Sequence, residues 1–308
     1  MDVETRQLQQ CLSAVGCRPE IVLLKHSTTS TNDDVRACAE KGMRHILVSS
    51  QIQTAGRGQH ERQWQSPLGN IYLSTLLNTD IAIDGRLALE VALNILQIPC
   101  LQNLNVQVKW PNDLYSTQGK WGGILVEPLS AHQAIVGVGI NITAMQQHIP
   151  EQLVTSLCEL GLDTQISRID LMAELYLAIQ QAGQWFSHNS YNLAARFNHH
   201  AAFLQQPVSF EHHQGCIEGL FTGILNDGAV QLQNIDGFVS FHAITIPSLY
   251  FYGSRCFMWA LRSSFVFMTG RLFCCPAILY NTGKKMTTVF GWDLGLYRKV
   301  YLVIPAEP

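Results

Sequence analysis

Residues 109–127 of this 308-residue chain read K-W-P-N-D-L-Y-S-T-Q-G-K-W-G-G-I-L-V-E. Two lysines, a Pro-Asn-Asp turn and a diglycine lie between apolar runs, and few folds need a cation, a turn and a glycine-lined strand so close together. Pro111 with Asn112 and Asp113 ends the first run in a turn. The run Gly123–Glu127 is too apolar for a surface and reads as a buried strand. A lysine after such a turn is ordinarily solvated, but at the mouth of so apolar a strand it can point into a cleft, where its point charge would stabilise developing negative charge. Lys120 holds that place, and Lys109 closes the preceding strand. Asn112 and Asp113 are readable as turn residues only, or as contacts to a metal-bound phosphate or an amine.

Upstream, Gln53-Thr54-Ala55-Gly56-Arg57-Gly58-Gln59-His60-Glu61-Arg62-Gln63-Trp64 opens a long polar loop that ends at Pro67. Loops of this length in a compact domain are usually functional or mobile. Glycines on both sides of Arg57 let the backbone approach a ligand, and the guanidinium suits a carboxylate or phosphate. An ordinary turn gives the same tripeptide, and no G-K-[ST] follows to make a Walker loop. Downstream, Gly137-Val138-Gly139-Ile140-Asn141 places small residues on one face of a strand. Close strand packing explains it, and so does a floor for a flat ligand with Asn141 as a polar contact.

Elsewhere the patterning alternates helices and strands. Helices are predicted over residues 3–15, from Thr31 to a stop at Gly42, over 86–98, and over 168–186, where apolar residues recur at helical period. Strands are predicted over 21–25, 46–50, 70–77, 106–110, 123–127 and 134–142. From about Leu204 the pattern changes to short strands separated by Asn226-Asp227-Gly228 and Asp236-Gly237, the signature of a small β-barrel. With 47% hydrophobic and 14% charged residues a sizeable core is available, and a formal net charge of −3 gives no basic footprint for nucleic acid. Nine scattered cysteines fit reduced thiols in the cytoplasm better than a disulfide framework. The apolar segment 249–280 is interrupted by Arg255, Arg262 and Arg271, so no membrane span is expected.

Five segments, Ser30-Thr31-Asn32, Gln53 to Gly58, Lys109 to Leu114, Lys120 to Glu127 and Gly137 to Asn141, resemble in order and spacing the biotin protein ligase family, over roughly Leu24 to Ser240. The resemblance implies an α+β fold. A catalytic domain with a mixed sheet, like those of class II aminoacyl-tRNA synthetases and lipoate ligases, occupies residues 1–200. A small SH3-like β-barrel follows over 201–246, and an atypical extension over 247–308. It implies that biotin is activated by ATP and Mg2+ as biotinyl-5'-AMP and passed to a lysine of the biotin carboxyl carrier protein of acetyl-CoA carboxylase. In that scheme Lys120 and Arg57 are catalytic. Ser30, Thr31, Asn32, Gln53, Gly56, Arg57, Lys120, Gly122 and Gly123 hold biotin. Arg57, Gln59, Trp64, Lys109, Asn112, Asp113 and Asn141 serve the nucleotide, with Asp113 the candidate metal ligand. A cytoplasmic enzyme that pairs as a homodimer fits the same family.

The chain departs from the family pattern in three places. Many members carry a second arginine two positions after Arg57, where this chain has Gln59, which bears on how the adenylate is retained. Bifunctional members carry a winged helix-turn-helix, for which the residues before Leu24 are too few, so no DNA binding is expected. After Phe241 the barrel's usual closing segment is replaced by His242-Ala243-Ile244-Thr245-Ile246-Pro247. The rival readings are a lipoate or octanoate ligase of the same fold and a non-catalytic biotin sensor.

Overall fold

The computed structural model describes residues 2–144, 153–212, 215–235, 237–242, 248–250, 280–281, 286–293 and 299–304. The chain divides into two units, residues 1–253 and 254–308.

The first unit is built on a seven-stranded mixed sheet. Its strands are β1 (Ile21–Thr28), β2 (Ile46–Gln53), β3 (Ile71–Asn78), β4 (Val106–Lys109), β5 (Asp113–Ser116), β6 (Gly119–Pro128) and β7 (Gln133–Ile140), in the order β1-β2-β3-β7-β6-β5-β4. The β1–β2 pair is parallel and the others antiparallel. Sequence patterning alone does not suggest β5, since Asn112-Asp113 reads as a turn; the strand begins at Asp113 itself.

Period-two alternation divides the sheet into two faces. Leu47, Leu73, Leu77, Val136, Val138 and Ile124 enter the main core. That core also takes the buried sides of helices α1 (Val3–Ala14), α3 (Arg86–Leu96) and α4 (Arg168–Ser187). α4 presents Ile169, Met172, Tyr176, Ile179 and Phe186 at helical spacing, and Ser167 caps its first turn by accepting from the Ile169 amide at 3.2 Å. The opposite face carries the nine-residue helix α2 (Thr31–Ala39), whose Val35 packs with Ile46, Val48, Leu76 and Ile135. Beyond α2 this face is lined by glycines and polar residues, and the candidate site lies there.

After α5 (Leu193–His200) come β8 (Pro207–His212), β9 (Gly215–Ile224), β10 (Val230–Asn234), β11 (Gly237–Phe241) and β12 (Ser248–Tyr250), an antiparallel sheet of order β11-β10-β9-β8-β12. Its Val208, Phe221, Ile224, Val230 and Leu232 join the main core. The sheet runs past residue 246, where the expected barrel ends, and closure into an SH3-like barrel is a proposal built on this strand order. Two backbone links tie the module to the large sheet: Val108 bridges Ala201, and the Ala202 amide donates to the Val108 carbonyl at 2.9 Å.

In the second unit, β13 (Tyr280–Asn281), β14 (Met286–Asp293) and β15 (Lys299–Ile304) form an antiparallel sheet in that order. The rest of the expected extension lies outside the described residues. No helix among the described residues is long and apolar enough to cross a membrane.

Candidate active site

The site rests on a floor of glycines on the α2 face of β6 and β7. A Cβ at Gly137 would stand 2.3 Å from the Asn32 amide oxygen, and one at Gly139 would stand 2.5 Å from the Trp64 ring. A Cβ at Gly123 would meet the same ring at 3.0 Å. These are positions of close approach, where any side chain would displace what lies above. Gly122 differs. Its missing Cβ would press on Leu114, Ile140 and the Gly139 carbonyl, so it faces the helix-covered core. The expectation that Gly122 offers a biotin-facing surface is therefore corrected: strand packing explains this glycine.

Lys120 reaches the site face through an irregularity in the strand. β5–β6 pairing shifts register between Leu114↔Gly122 and Tyr115↔Lys120. Regular alternation would put Lys120 with Gly122 and Ile124, in the core. The bulge gives the extra position to Trp121, which is buried and donates its indole N–H to the Tyr115 carbonyl at 2.8 Å. Lys120 thereby joins Gly123 on the open face, with its Cε 3.3 Å from the Cβ that Gly123 lacks.

Three charges from the K-W-P-N-D and K-W-G-G segments meet here. Asp113 pairs with Lys120 at 2.5 Å and with Lys109 at 3.7 Å. Lys109 sits 5.8 Å from the Tyr115 ring centroid, and burial holds its pKa below the usual lysine range, the nearby cations of Lys120 and Arg62 adding to the effect and Asp113 opposing it. The Trp110–Pro111 peptide is cis, and Asn112 in the turn exchanges two hydrogen bonds with Ile124, its side-chain amide donating to the carbonyl at 2.6 Å. Asp113, the candidate metal ligand, lies between these two ammonium groups, and no cluster of three or more metal-binding side chains occurs among the described residues.

A second, polar part of the site centres on the start of α2. Gln53, at the end of β2, accepts from the Thr31 amide at 2.9 Å and from its hydroxyl at 3.2 Å, and donates to Ser66 at 3.1 Å. Ser74 donates to the Asn32 amide oxygen at 2.6 Å and lies 2.6 Å from the Thr31 hydroxyl. Asn32 donates to Glu127 at 3.1 Å. Ser30 is buried in the N-cap position and makes no cap bond with its side chain. Buried Thr31 and Asn32 and half-buried Gln53 thus form one hydrogen-bonded group with the hydroxyls and amides that a cyclic urea or amide would need. Sequence patterning does not single out Ser66, Ser74 or Glu127.

Arg57 lies at the rim, forked onto Asp33 at 2.6 and 2.9 Å and 3.4 Å from Glu127. The fork raises the Arg57 pKa further above the arginine norm and lowers that of Asp33. Gly56 is held where a Cβ would meet the Trp64 carbonyl at 2.7 Å. Gln59 begins a single 3-10 turn in the same loop, beyond Arg57. Asn141 is buried at the end of β7, donating to the Thr155 carbonyl at 3.2 Å, so it pins the 153–157 segment. Trp64 packs over Gly123 and Gly139 with the Lys120 ammonium 5.2 Å from its ring centroid.

This arrangement can hold a polar ring head at the α2 end and a carboxylate at Lys120. The chain is 31% identical over 201 residues to the "Bifunctional ligase/repressor BirA" of Salmonella typhimurium, covering 62% of each chain. It is 30% identical over 169 residues to the "Biotin--[acetyl-CoA-carboxylase] ligase" of Mycobacterium tuberculosis, over 52% of this chain and 63% of that one. The chain therefore spans less than two thirds of the length of these relatives. Among solved structures, the biotin protein ligase of Aquifex aeolicus in complex with biotin and ATP superposes with a TM-score of 0.63 at 26% identity, over 75% of this chain and 98% of that one. Residues 25–141 match the model of the biotin/lipoate A/B protein ligase family.

Proposed function

We propose that this protein is an ATP-dependent biotin ligase that forms biotinyl-5'-AMP and transfers the biotinyl group to a lysine of a biotin carboxyl carrier protein. The observation that carries the reading is the junction of the Thr31–Gln53–Ser74 hydrogen-bonding group with Lys120 across a floor of glycines. It supplies a polar end, a flat path and a cation in line.

In this reading the ureido ring exchanges hydrogen bonds with Thr31, Gln53 and Asn32, and the acid tail runs over Gly123 to Lys120. A carboxylate oxygen attacks the α-phosphorus and pyrophosphate leaves. Mutual repulsion of two anions is a large part of that barrier, and Lys120 with Lys109 lowers it by positioning and fixed positive charge. Mg2+ bound with the nucleotide would supply neutralisation of phosphate charge. Arg57, released from Asp33, meets the nucleotide and closes the loop over the adenylate, keeping water from the mixed anhydride. The carrier lysine's amine then attacks the acyl carbon, an amide forms and AMP leaves.

Incubation with biotin, ATP and a purified biotin carboxyl carrier domain, read by intact mass, tests the proposal, with lipoate and octanoate in parallel. A biotin-sized gain that requires ATP is expected. A gain with lipoate or octanoate instead would reassign the acid. No gain alongside measurable biotin binding would make the protein a sensor.

A further inference from the structure

The order of protons in the hydrogen-bonded group at the start of α2 follows from one carboxylate. Glu127 is ion-paired with Arg36 at 3.2 Å and with Arg57 at 3.4 Å. Its oxygens only accept, so the end of the Asn32 amide that faces them at 3.1 Å is the nitrogen. The Asn32 oxygen is thereby turned to Ser74, 2.6 Å away. Gly137 leaves it room there, since a Cβ at that position would stand 2.3 Å from this oxygen. An amide oxygen also only accepts, so the single hydroxyl proton of Ser74 is committed to Asn32. Thr31 Oγ1 lies 2.6 Å from Ser74 Oγ, a separation that two hydroxyl oxygens hold with a proton between them. Ser74 has no second proton to give, so that proton belongs to Thr31. Gln53 Oε1, 3.2 Å from the same hydroxyl, takes the longer arm of a three-centre bond. The Thr31 hydroxyl can then only accept from any further partner. Ser74 and Thr31 are both buried, so water does not compete for these protons.

Resting on the ligase reading above, we propose that Glu127, Asn32 and Ser74 are specificity-determining residues: they order the protons so that Thr31 meets the head of the acid as an acceptor. The head that fits carries an N–H, as a cyclic urea does. A ring oxygen at that place sets lone pair against lone pair, and a dithiolane or an alkyl end offers no donor. A site built around one hydrogen bond rejects a molecule that lacks it more strongly than shape alone would. Glu127 and Ser74 act through Asn32 and Thr31 and are positioning residues.

The full chain is titrated with biotin and with the two analogues in which one or the other ureido N–H is replaced by a ring oxygen. The wild type is expected to prefer biotin over at least one analogue by about 10²-fold, the cost of facing a buried acceptor with no donor. Ser74→Ala frees the Thr31 proton, and the preference should fall below about tenfold through tighter binding of the analogue. Structural damage would weaken both ligands instead. Asn32→Asp combined with Glu127→Gln keeps the shape and the single negative charge of the pair. The glutamine nitrogen then donates to Asp and Asp still accepts from Ser74, so the preference should persist. Neutron diffraction from the deuterated full chain reads the relay without a ligand, with the Thr31 deuteron expected on the line to Ser74 and the Ser74 deuteron on the line to Asn32. A Ser74→Ala variant with an unchanged preference would overturn the proposal, as would a Thr31 deuteron lying toward Gln53 alone. Loss of the preference in the double variant would do the same. Deuterons in the expected order, in a protein that binds none of the three molecules, uphold the relay and overturn the ligase reading instead.

Discussion

Trp110, in the middle of the K-W-P-N-D segment, donates its indole N–H to the carbonyl of Gly228, 118 residues away, at 3.0 Å. Gly228 closes the Asn226-Asp227-Gly228 turn between β9 and β10, with a left-handed φ of 82° and Arg86 Cγ 3.0 Å from the Cβ it lacks. The turn is further fixed by Asn226, which accepts from the Ala194 amide at the start of α5 at 3.0 Å. The second module therefore braces the turn between β4, which ends at Lys109, and β5, which begins at Asp113. Trp110→Phe keeps the ring's bulk and removes the donor, leaving a buried carbonyl short of one partner. Stability should fall by about 1–3 kcal/mol, and KM for ATP should rise more than kcat falls. A urea midpoint and steady-state kinetics read both. An unchanged KM would confine the contact to stability.

Lys120→Ala should lower the rate of adenylate formation by about 10²–10³-fold, the usual cost of removing one preorganised charge from a transition state. Biotin affinity should change far less, because Thr31, Gln53 and Asn32 remain. Biotin-dependent pyrophosphate exchange and equilibrium binding separate the two. Near-normal exchange would remove Lys120 from the mechanism.

Lys109 gives a pH dependence of known sign. Its folded pKa lies below the ordinary lysine value of 10.5, chiefly through burial. As pH rises through the folded pKa, the native state releases this proton before the unfolded chain does, so its contribution to stability increases up to the unfolded value. Anion binding runs the other way, since phosphate requires the ammonium form. ATP affinity should therefore weaken as pH climbs through the Lys109 pKa, and Lys109→Arg, charged throughout, should flatten that limb. Titration calorimetry across this range checks it, and identical slopes for both proteins would exclude Lys109 as the titrating group.

The parts of the site legible in the sequence are those where a residue type answers to a backbone need. Gly137 and Gly139 read as a floor, and Thr31-Asn32 as the opening of a helix, because glycine and capping side chains signal geometry directly. What stayed hidden depends on register and on folding across distance. Lys120 is read at a cleft from its place before the diglycine, but the bulge at Trp121 that turns it outward against regular alternation is not legible. Ser74 and Glu127, in otherwise apolar strands, look like solvent-facing positions until α2 is laid over them. The contact of Trp64 with Gly123 and Gly139 shows in no local pattern, because the two strands follow the loop by some 60 to 75 residues.

A last test concerns the brace behind the site. Glu90 on α3 has no exposure to solvent, yet Arg196 of α5 reaches it with both terminal guanidinium nitrogens, while its Cζ lies 4.3 Å from the Trp185 ring centroid. Arg196→Met retains much of the contact with Trp185 but strands Glu90 in the core, and should cost about 3–5 kcal/mol, the range for breaking a buried pair from one side. Adding Glu90→Leu removes the stranded carboxylate, and the double variant should recover most of the loss, because a packed apolar pair often equals a buried ion pair. Urea unfolding of the wild type and three variants gives the cycle. If the double variant is no more stable than Arg196→Met, the uncompensated charge is not what Arg196 prevents, and its role is packing against Trp185. Recovery of stability without recovery of KM for ATP would show, in addition, that the α3–α5 pair sets the angle at which the second module presents Gly228 to Trp110.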